Sequence, residues 1–281
     1  MTNNNYSPLR YPGGKSRLIN FIKSVIELND LKGGTYIEPF SGGAAIALAL
    51  AIDGYMERIV INDLDRSIYA FWYSILNHTD SFIDKIYQTP LSIEEWHKQH
   101  TIQRYKQDVD LFNLGFSTFF LNRTNRSGVL KAGVIGGLRQ TGNYKIDARY
   151  NKRQLIERIL LIAKHKDKFI LHNKDAVNLL HRYRNIARKN LVYLDPPYYV
   201  KGKELYVNFF KDADHILLSN VIQQRINLNW IITYDNHPFI ANLYRKSQSL
   251  SYSLPYSAGM NKHGVELFFC KENIAIPKHL L

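Results

Sequence analysis

The feature that most constrains the fold of this 281-residue chain is an alternation of short apolar segments with helical patterns. Six segments predict strands: Thr35–Ile37, Arg58–Ile61, Phe169–His172, Leu191–Leu194, Trp230–Thr233 and Leu267–Cys270. Four helical patterns lie between them: one after Gly43, one carrying Leu155 to Ala163 on one face, one from Ala176 to about Ala187, and one over Ile216 to Ile226. This alternation predicts an α/β fold with a mostly parallel sheet and helices on both faces.

The interval between the second and third predicted strands interrupts this alternation. It holds three aromatic-rich helical stretches, Ile68–Leu76, Ile93–His100 and Leu111–Leu121, followed by a basic, glycine-rich stretch. We therefore predict a discontinuous core domain, residues 1–66 and 151–281, and an inserted, mainly helical domain, residues 67–150.

Positive charge is concentrated in the basic stretch, Arg123–Arg153. It contains eight basic residues and one acid, Asp147, and so carries seven of the thirteen excess positive charges of the chain. Five glycines punctuate it: Gly128, Gly133, Gly136, Gly137 and Gly142. A basic loop or hairpin of this kind predicts a surface that meets a polyanion, and a merely solvated face is the alternative.

Composition excludes several classes. A single cysteine, Cys270, excludes an internal disulfide framework and a cysteine-based zinc site, and the histidines show no metal-binding spacing. The segment Met1–Pro8 is polar, and the longest apolar run, Ala44–Ile52, is much shorter than the about 20 residues that span a bilayer. The prediction is a cytoplasmic protein with no membrane segment and no metal.

The sharpest motif follows the strand Leu191–Leu194 and reads Asp195-Pro196-Pro197-Tyr198. Two prolines hold the backbone rigid, and because Pro197 has no N–H, the carbonyl of Pro196 is left as a free acceptor. Asp195 supplies a second acceptor and Tyr198 a flat aromatic face. This set suits the exocyclic amino group of a planar base. A simple Asp-Pro-Pro turn is the alternative.

Two weaker motifs come earlier in the chain. Glu38–Ala45 is a strand that ends in a glycine turn and leads into a helix, which permits close approach of a ligand at the carboxyl end of a sheet. It is neither a phosphate loop nor a dinucleotide-binding turn. Asp63 ends the second strand, where a carboxylate can accept hydrogen bonds from ribose hydroxyls; a helix N-cap is the alternative.

Three segments in one order resemble a known family: Tyr11-Pro12-Gly13-Gly14-Lys15, the Glu38–Ala45 turn and Asp195–Tyr198. In that order they resemble the S-adenosylmethionine-dependent DNA adenine-N6 methyltransferases of the Dam-like (D12) class, and the resemblance covers nearly the whole chain. It implies a Rossmann-like methyltransferase sheet and an inserted target-recognition domain. The implied cofactor is S-adenosyl-L-methionine, the product S-adenosyl-L-homocysteine, and no metal is implied.

The resemblance also implies a cofactor site. Its residues here would be Tyr11, Lys15, Pro39, Phe40, Gly42, Asp63, Asp175 and Asp195. Lys15 would meet the cofactor carboxylate, Asp63 the ribose and Asp175 the adenine amino group. One departure concerns Ala44, where the family often has glycine; binding should survive because alanine is small.

The implied reaction is site-specific methylation of adenine N6 in duplex DNA, with the base flipped out of the helix. The catalytic residues would be Asp195, Pro196, Pro197 and Tyr198. Asp195 and the Pro196 carbonyl would accept the N6–H groups, and Tyr198 would stack on the base. Cys270 lies in an apolar strand and is predicted to be core, which disfavours a cysteine nucleophile.

DNA contacts are expected mainly from the basic stretch, since Phe119–Thr124 resembles the family segment that leads into its DNA-contacting hairpin. The candidates are Asn122, Arg123, Asn125, Arg126, Lys131, Arg139 and Tyr199. Asparagine and arginine suit adenine and guanine edges, whereas Lys131 and Arg139 would contact phosphates. The loop Asn125–Tyr144 differs from the hairpin of GATC-modifying members, which leaves the recognition sequence open.

Other functions stay open at this stage. They are methylation of cytosine N4, of RNA adenine or of a protein amide, and a non-catalytic DNA-binding module. The expected partner is double-stranded DNA. A companion restriction endonuclease is a candidate partner, a monomer would suffice, and the setting would be bacterial or phage-encoded.

Overall fold

A computed structural model of the protein describes residues 6–10, 15–187, 189–200, 210–256 and 262–277. The chain divides into two compact units. The first comprises the described residues of Lys15–Leu64 and Lys168–Leu281, and the second those of Asn4–Gly14 and Asp65–Asp167. The predicted cofactor residue Tyr11 lies outside the described residues.

The first unit contains a seven-stranded sheet. Its strands are β1 Thr35–Glu38, β2 Arg58–Asn62, β3 Phe169–His172, β4 Asn190–Leu194, β5 Trp230–Asp235, β6 Gln248–Tyr256 and β7 Lys262–Cys270. Their order is β3-β2-β1-β4-β5-β7-β6; β1 to β5 are parallel, and β7 is antiparallel to both of its neighbours. The predicted α/β sheet is confirmed.

All six predicted strands are present, and β6 is the one that sequence reasoning missed. In Gln248–Tyr256 serines alternate with larger residues, so no continuous apolar run marks the strand. Such alternation is typical of a strand with one buried face, and β6 lies at the edge of the sheet, where its Tyr252 is buried. Cys270 is buried in β7, as predicted.

Helices α1 to α10 within the described residues are Ile19–Leu28, Ala45–Ile52, Arg66–Asn77, Thr79–Gln88, Ile93–Arg104, Leu111–Thr124, Lys152–Ala163, Ala176–Tyr183, Asp212–Asn220 and Pro238–Leu243. Two predicted boundaries were wrong. α8 ends at Tyr183 rather than near Ala187, and α9 begins at Asp212 because the Asp214 carboxylate accepts the Lys211 N–H at 2.8 Å. A π-helical turn, Val221–Arg225, replaces the predicted end of that helix. None of the described helices is long and apolar enough to cross a membrane.

Strand order positions the candidate site. β1 and β4 are neighbours, but the chain leaves β1 toward β2 and leaves β4 toward β5, on opposite sides. Right-handed crossovers from such a point place helices on opposite faces and open a crevice at the carboxyl ends of the two strands. Buried apolar side chains from β1, β2, β4 and β5 form the core beneath it, among them Ile37, Val60, Val192 and Ile232.

The second unit is built on α3 to α7 with an aromatic core. The rings of Phe71 and Phe119 stack with centroids 6.1 Å apart, and Phe82 meets Phe119 edge-on at 5.5 Å. The segment from Asn125 to Asn151 is mostly turns, with one isolated bridge between Asn125 and Val134. Its role in target recognition stays a prediction.

Candidate active site

The Asp195-Pro196-Pro197-Tyr198 motif begins where the wholly buried strand β4 ends. The Asp195 Oδ1 atom accepts a hydrogen bond from Thr233 Oγ1 at 3.0 Å and lies 3.3 Å from the Lys15 ammonium. Pro196 and Pro197 are both buried. The carboxylate is therefore fixed in direction through one oxygen at the carboxyl end of the sheet.

A buried hydrogen-bond network surrounds the Lys15 ammonium. Its Nζ donates to Tyr198 Oη and lies 3.1 Å from Glu266 Oε2. The Tyr198 and Tyr252 hydroxyls donate to Glu266 Oε1 and Oε2, each at 2.5 Å. Lys15 and Glu266 have 4% and 1% of their side chains exposed, so this ion pair is almost dry. Lys15, Asp195 and Tyr198 were each predicted as site residues, and the structure brings them together; their predicted contacts with a cofactor and a base stay predictions.

Sequence reasoning missed Glu266 and Tyr252, which face each other across the β6–β7 hairpin. One signal was available: Glu266 is the lone acid in the otherwise apolar run from Val265 to Cys270. A carboxylate on a strand of this kind needs buried hydrogen-bond donors. Lys15, Tyr198 and Tyr252 are those donors.

The pKa values in the network move for identifiable reasons. Burial raises the pKa of Asp195 to about 6; the Lys15 charge opposes this shift and the Glu266 charge adds to it. Burial also pushes the pKa of Glu266 upward, but the Lys15 charge and the tyrosine hydrogen bonds outweigh it and hold that pKa below its ordinary value. For Glu38, burial and then the Asp195 charge raise the pKa well above its ordinary value.

Tyr198 and Tyr199 face inward in this structure. Tyr198, predicted to stack on a flipped base, is 4% exposed, and stacking would require its ring to turn out of the network. Tyr199, predicted to contact DNA, packs its ring on His237 and Phe239, with centroids 4.3 Å and 4.9 Å away. Its N–H donates to Asp235 Oδ1 at 2.9 Å.

The glycine turn after β1 is held by residues at the end of β2. The Gly42 N–H donates to Asp63 Oδ2 at 3.0 Å, and the Ser41 N–H donates to the Asn62 carbonyl at 2.9 Å. Gly42 has φ +45° and Ala44 has φ +49°, so both occupy the left-handed region. Glycine adopts this conformation without strain, whereas the alanine at position 44 does not.

Asn62, which is buried at the end of β2, ties two loops to this edge of the sheet. Its Nδ2 donates to the carbonyls of Pro39 and Lys174 at 2.8 and 2.9 Å, and its Oδ1 accepts the Lys174 N–H at 2.9 Å. Sequence reasoning gave no role to this side chain. It fixes the loops after β1 and β3 against the end of β2.

Asp175 lies at the start of α8, and Phe40 follows β1. The Asp175 Oδ1 atom caps α8 by accepting the N–H groups of Val177 and Asn178 at 2.9 and 3.2 Å. Asp175 is exposed, and its carboxylate already caps α8. A cofactor amino group that bound Asp175 would therefore have to share this carboxylate with the helix N-terminus.

Phe40 packs edge-on against Phe210 with ring centroids 5.7 Å apart.

The residues of the first unit fit a cationic, nucleoside-like cofactor. Glu38 Oε2 and Ser41 Oγ are buried with no hydrogen-bond partner among the described residues, so both are available to a ligand. The Asp195 and Glu266 carboxylates share the Lys15 ammonium, so this network carries an excess of negative charge when Asp195 is ionised. Burial and the Asp195 charge favour the neutral form of Glu38. The excess of negative charge in the network suits the positively charged sulfonium and ammonium groups of S-adenosylmethionine. The described His, Cys, Asp and Glu residues form no metal-binding group.

In the second unit, two predicted base readers have their amide groups occupied. Asn122 accepts the Arg10 N–H at 2.7 Å and donates to the Arg10 and Gly128 carbonyls at 2.8 and 2.9 Å. Asn125 accepts from Trp96 Nε1 at 2.7 Å and donates to the Val129 and Leu130 carbonyls at 3.1 and 3.0 Å. Both are buried. The geometry favours a structural role for these two side chains over contact with base edges.

The other predicted contacts differ in exposure. Arg126, Lys131 and Arg139 are exposed, as contacts to DNA require. Arg123 is half-buried, and its Nε has no hydrogen-bond partner among the described residues.

Comparison with known proteins adds a family match. The model of the family described as D12 class N6 adenine-specific DNA methyltransferase matches residues 11–257, a range that contains all three motifs. The type II methyltransferase M.MjaIII of Methanocaldococcus jannaschii is 24% identical over 230 residues, 75% of this chain and 77% of that protein. The type II methyltransferase M.CviBI of Paramecium bursaria Chlorella virus NC1A is 26% identical over 238 residues, 84% of this chain and 85% of that protein.

Solved structures resemble this chain only distantly. A putative RNA methyltransferase from Pyrococcus horikoshii superimposes with a TM-score of 0.40 at 12% identity, covering 93% of this chain and 83% of that one. The rRNA methyltransferase aviRa from Streptomyces viridochromogenes gives a TM-score of 0.39 at 11% identity, covering 94% of this chain and 88% of that one.

Proposed function

We infer the roles of individual residues from the premise that this chain belongs to the D12 class of N6 adenine-specific DNA methyltransferases. The protein is an adenine-specific DNA methyltransferase. One observation carries the assignment of its catalytic centre: the Asp195 carboxylate, fixed by Lys15 and Thr233 at the end of β4. The substrate we propose is an adenine flipped out of duplex DNA, because a stacked base cannot enter a crevice of this kind.

Asp195 and Pro196 act on the amino group of that adenine. The lone pair of N6 is delocalised into the ring, so the free base is a poor nucleophile. Hydrogen bonds from N6–H to the Asp195 carboxylate and to the Pro196 carbonyl favour a more tetrahedral nitrogen, whose lone pair can point toward a methyl donor. Pro197 leaves that carbonyl free and keeps it rigid. Asp195 accepts this hydrogen bond more strongly as the carboxylate than as the neutral acid, and as the carboxylate it can also take the proton that N6 loses when it gains the methyl group.

The cofactor-binding residues we propose are Lys15, Pro39, Phe40, Gly42, Asp63, Asp175 and Asp195, together with Tyr11. When bound, S-adenosylmethionine supplies a methyl group already activated on a sulfonium, so catalysis depends mainly on positioning. To these residues we add Glu38 and Ser41, because their buried oxygen atoms have no partner among the described residues. Gly42 lets the backbone approach the ligand closely.

Lys15 takes an additional role in this proposal. Its ammonium contacts Glu266 and Asp195 directly, so it orients the catalytic carboxylate. If Lys15 also binds the cofactor carboxylate, that carboxylate shares the Lys15 ammonium with Glu266 and Asp195. Tyr198 is proposed to stack on the flipped base after its hydroxyl leaves Glu266 and Lys15.

The wider setting is inferred from the relatives. Both curated relatives are named type II methyltransferases, and we propose a companion restriction endonuclease for this chain too. A monomeric state and a cytoplasmic location belong to the same proposal.

The test is expression in a host that lacks adenine methylation, followed by single-molecule sequencing of the host DNA. The expected result is N6-methyladenine in one short motif, absent with Asp195→Ala and retained with Asp53→Ala, a surface acid that pairs with Lys23. Methylation of cytosine N4, or no DNA methylation at all, would contradict the proposal. An RNA-only signal would favour the RNA alternative.

A further inference from the structure

Four arginines gather in the second unit, two of which lie outside the basic stretch. We call Arg10, Arg123, Arg149 and Arg158 the arginine cluster. The backbone of Arg10 is fixed to the end of α6 through Asn122, and Arg158 on α7 donates from Nη1 to the Ser7 carbonyl at 2.9 Å. The segment that carries Arg10 is thus tied to both helices that carry Arg123 and Arg158.

The members of the arginine cluster repel one another. Burial and then the charges of Arg158, Arg10 and Arg149 together lower the pKa of Arg123 to about 10. Burial and then the Arg149 charge lower the pKa of Arg10. Across the described part of the chain, no carboxylate forms an ion pair with any of the four.

Two buried polar atoms in this region have no described partner. They are Arg123 Nε and the Tyr150 hydroxyl, and Tyr150 is only 4% exposed. Among the described residues, the carboxylate whose charge acts on Tyr150 is that of Glu95, and its Oε1 accepts from Gln99 Nε2 at 2.6 Å. Donors without acceptors and cations without anions point to the same missing group.

We propose that the arginine cluster binds a backbone phosphate of the DNA duplex. This inference rests on the proposed function, because DNA is the substrate it assumes. A phosphodiester supplies negative charge and acceptor oxygens, and guanidinium groups match that geometry through paired N–H donors. Phosphate contacts of this type set the position of a protein on DNA and carry no base sequence. They differ from the exposed contacts predicted at Arg126, Lys131 and Arg139.

The first experiment measures DNA affinity by fluorescence anisotropy over a series of salt concentrations. Arg149→Gln is the chosen variant because Arg149 is exposed and removing it leaves no buried void. The slope of log affinity against log salt should fall by about one, with binding about tenfold weaker near 0.1 M salt. The matched control is Arg104→Gln, an exposed arginine in the last turn of α5 and outside the basic stretch, which should leave the slope unchanged. Equal slopes for wild type and Arg149→Gln would overturn the proposal.

A second measurement separates binding from a structural role. Inorganic phosphate should raise the melting temperature of the wild type more than chloride does at equal ionic strength, and this gain should shrink in Arg149→Gln. Without phosphate, the variant should melt at the same temperature or higher, since a repulsion has been removed. A clearly lower melting temperature would mean that Arg149 supports the fold instead, and would overturn the proposal.

The outcome is independent of methylation. Both readouts use binding or melting, so an inactive enzyme with the expected slopes would contradict the proposed reaction and keep the phosphate site. Full methylation activity with equal salt slopes for wild type and Arg149→Gln would support the proposed reaction and contradict the phosphate site.

Discussion

The carboxyl end of the sheet and the arginine cluster both hold several charged groups close together, but they organise them in opposite ways. At the sheet, the Lys15 ammonium lies 3.1 Å from Glu266 and 3.3 Å from Asp195. In the arginine cluster, no described acid pairs with the guanidinium groups, and the charges of neighbouring arginines lower the pKa of Arg10 and of Arg123. In the network of mixed sign, positive and negative groups neutralise one another and shift one another's pKa values. In the cluster of one sign, the positive charges can be neutralised only by an anion from outside the described residues.

The largest effect that tests this contrast is expected from Asp195→Asn. The amide cannot accept N6–H as a carboxylate does, and its NH₂ can clash with it, so the methylation rate should fall about 10²–10³-fold. The free energy of unfolding should rise by about 1–3 kcal/mol, because a buried carboxylate with a raised pKa costs stability when ionised. Methylation assays and urea titration measure the two changes. Asp53→Asn is the control.

The sign of the stability change follows from the raised pKa. With a value of about 6 in the folded protein, Asp195 binds more protons folded than unfolded between about pH 4 and 6. The free energy of unfolding should therefore fall as the pH rises through that range, and Asp195→Asn should remove this part of the pH dependence. A variant that is both inactive and less stable would contradict the assignment.

The second effect is on the pH profile of the reaction. Because Asp195 acts as the carboxylate, the rate should rise with pH to a plateau above about 6. The titratable groups whose charges interact with that of Asp195 are Lys15, Glu266, Glu38, Tyr36, Tyr193 and Tyr234. Among them, the Glu266 charge raises the pKa of Asp195. Glu266→Gln should therefore move the acid limb to lower pH.

Glu266 is a positioning residue in this scheme, and its control is Glu272→Gln at an exposed position just after β7. The control should leave the profile of kcat against pH unchanged. If Glu266→Gln lowered kcat equally at every pH, Glu266 would serve the fold and not the carboxylate.

The third effect concerns the second unit. Asn122→Ala removes three buried hydrogen bonds to Arg10 and Gly128 and should cost about 2–4 kcal/mol of the free energy of unfolding. DNA affinity should fall, but its salt slope should not change, since no charge is lost. Asn77→Ala, an exposed amide at the end of α3, is the control and should have little effect. Weaker DNA binding with an unchanged free energy of unfolding would mean that the asparagine contacts DNA directly after all.

The smallest effect concerns the backbone, where the two regions are alike. Ala44 in the first unit and Ser127 in the second have φ of +49° and +55°. Replacing either with glycine should raise the free energy of unfolding by about 0.5–1 kcal/mol, less at Ala44, where a buried methyl is lost. Ala47→Gly inside α2 should lower it by about 1 kcal/mol or more. Urea titration measures all three changes. A lower free energy of unfolding in Ser127→Gly would contradict the claim that the backbone at Ser127 is strained.

The sequence was informative where a single segment carries the signal. Leu191–Leu194 is apolar enough to predict β4. The two prolines that follow restrict the backbone, and so fix the directions of the Asp195 side chain and the Pro196 carbonyl at the end of the strand. Lys15 was tied to the same site through the family resemblance. These features are local, so spacing and residue type suffice to predict them.

What the sequence could not supply depends on partners distant in the chain. Glu266 and Lys15 are 251 residues apart, and nothing in either neighbourhood predicts their ion pair. Asn122 has the right chemistry for a base edge, but residue type cannot show that Arg10 already occupies its amide. Arg10 and Arg158 lie outside the basic stretch and join it only in the folded unit.

The late position of β7 in the chain bears on how the enzyme is made. Since Lys15 acquires its Glu266 partner only when β7 has inserted between β5 and β6, the catalytic centre forms through contacts of very long sequence separation. Such contacts form slowly because long loops must close first. During synthesis, a chain whose β7 segment is still inside the ribosome therefore lacks the catalytic centre. Methylation activity can begin only after the sheet is complete.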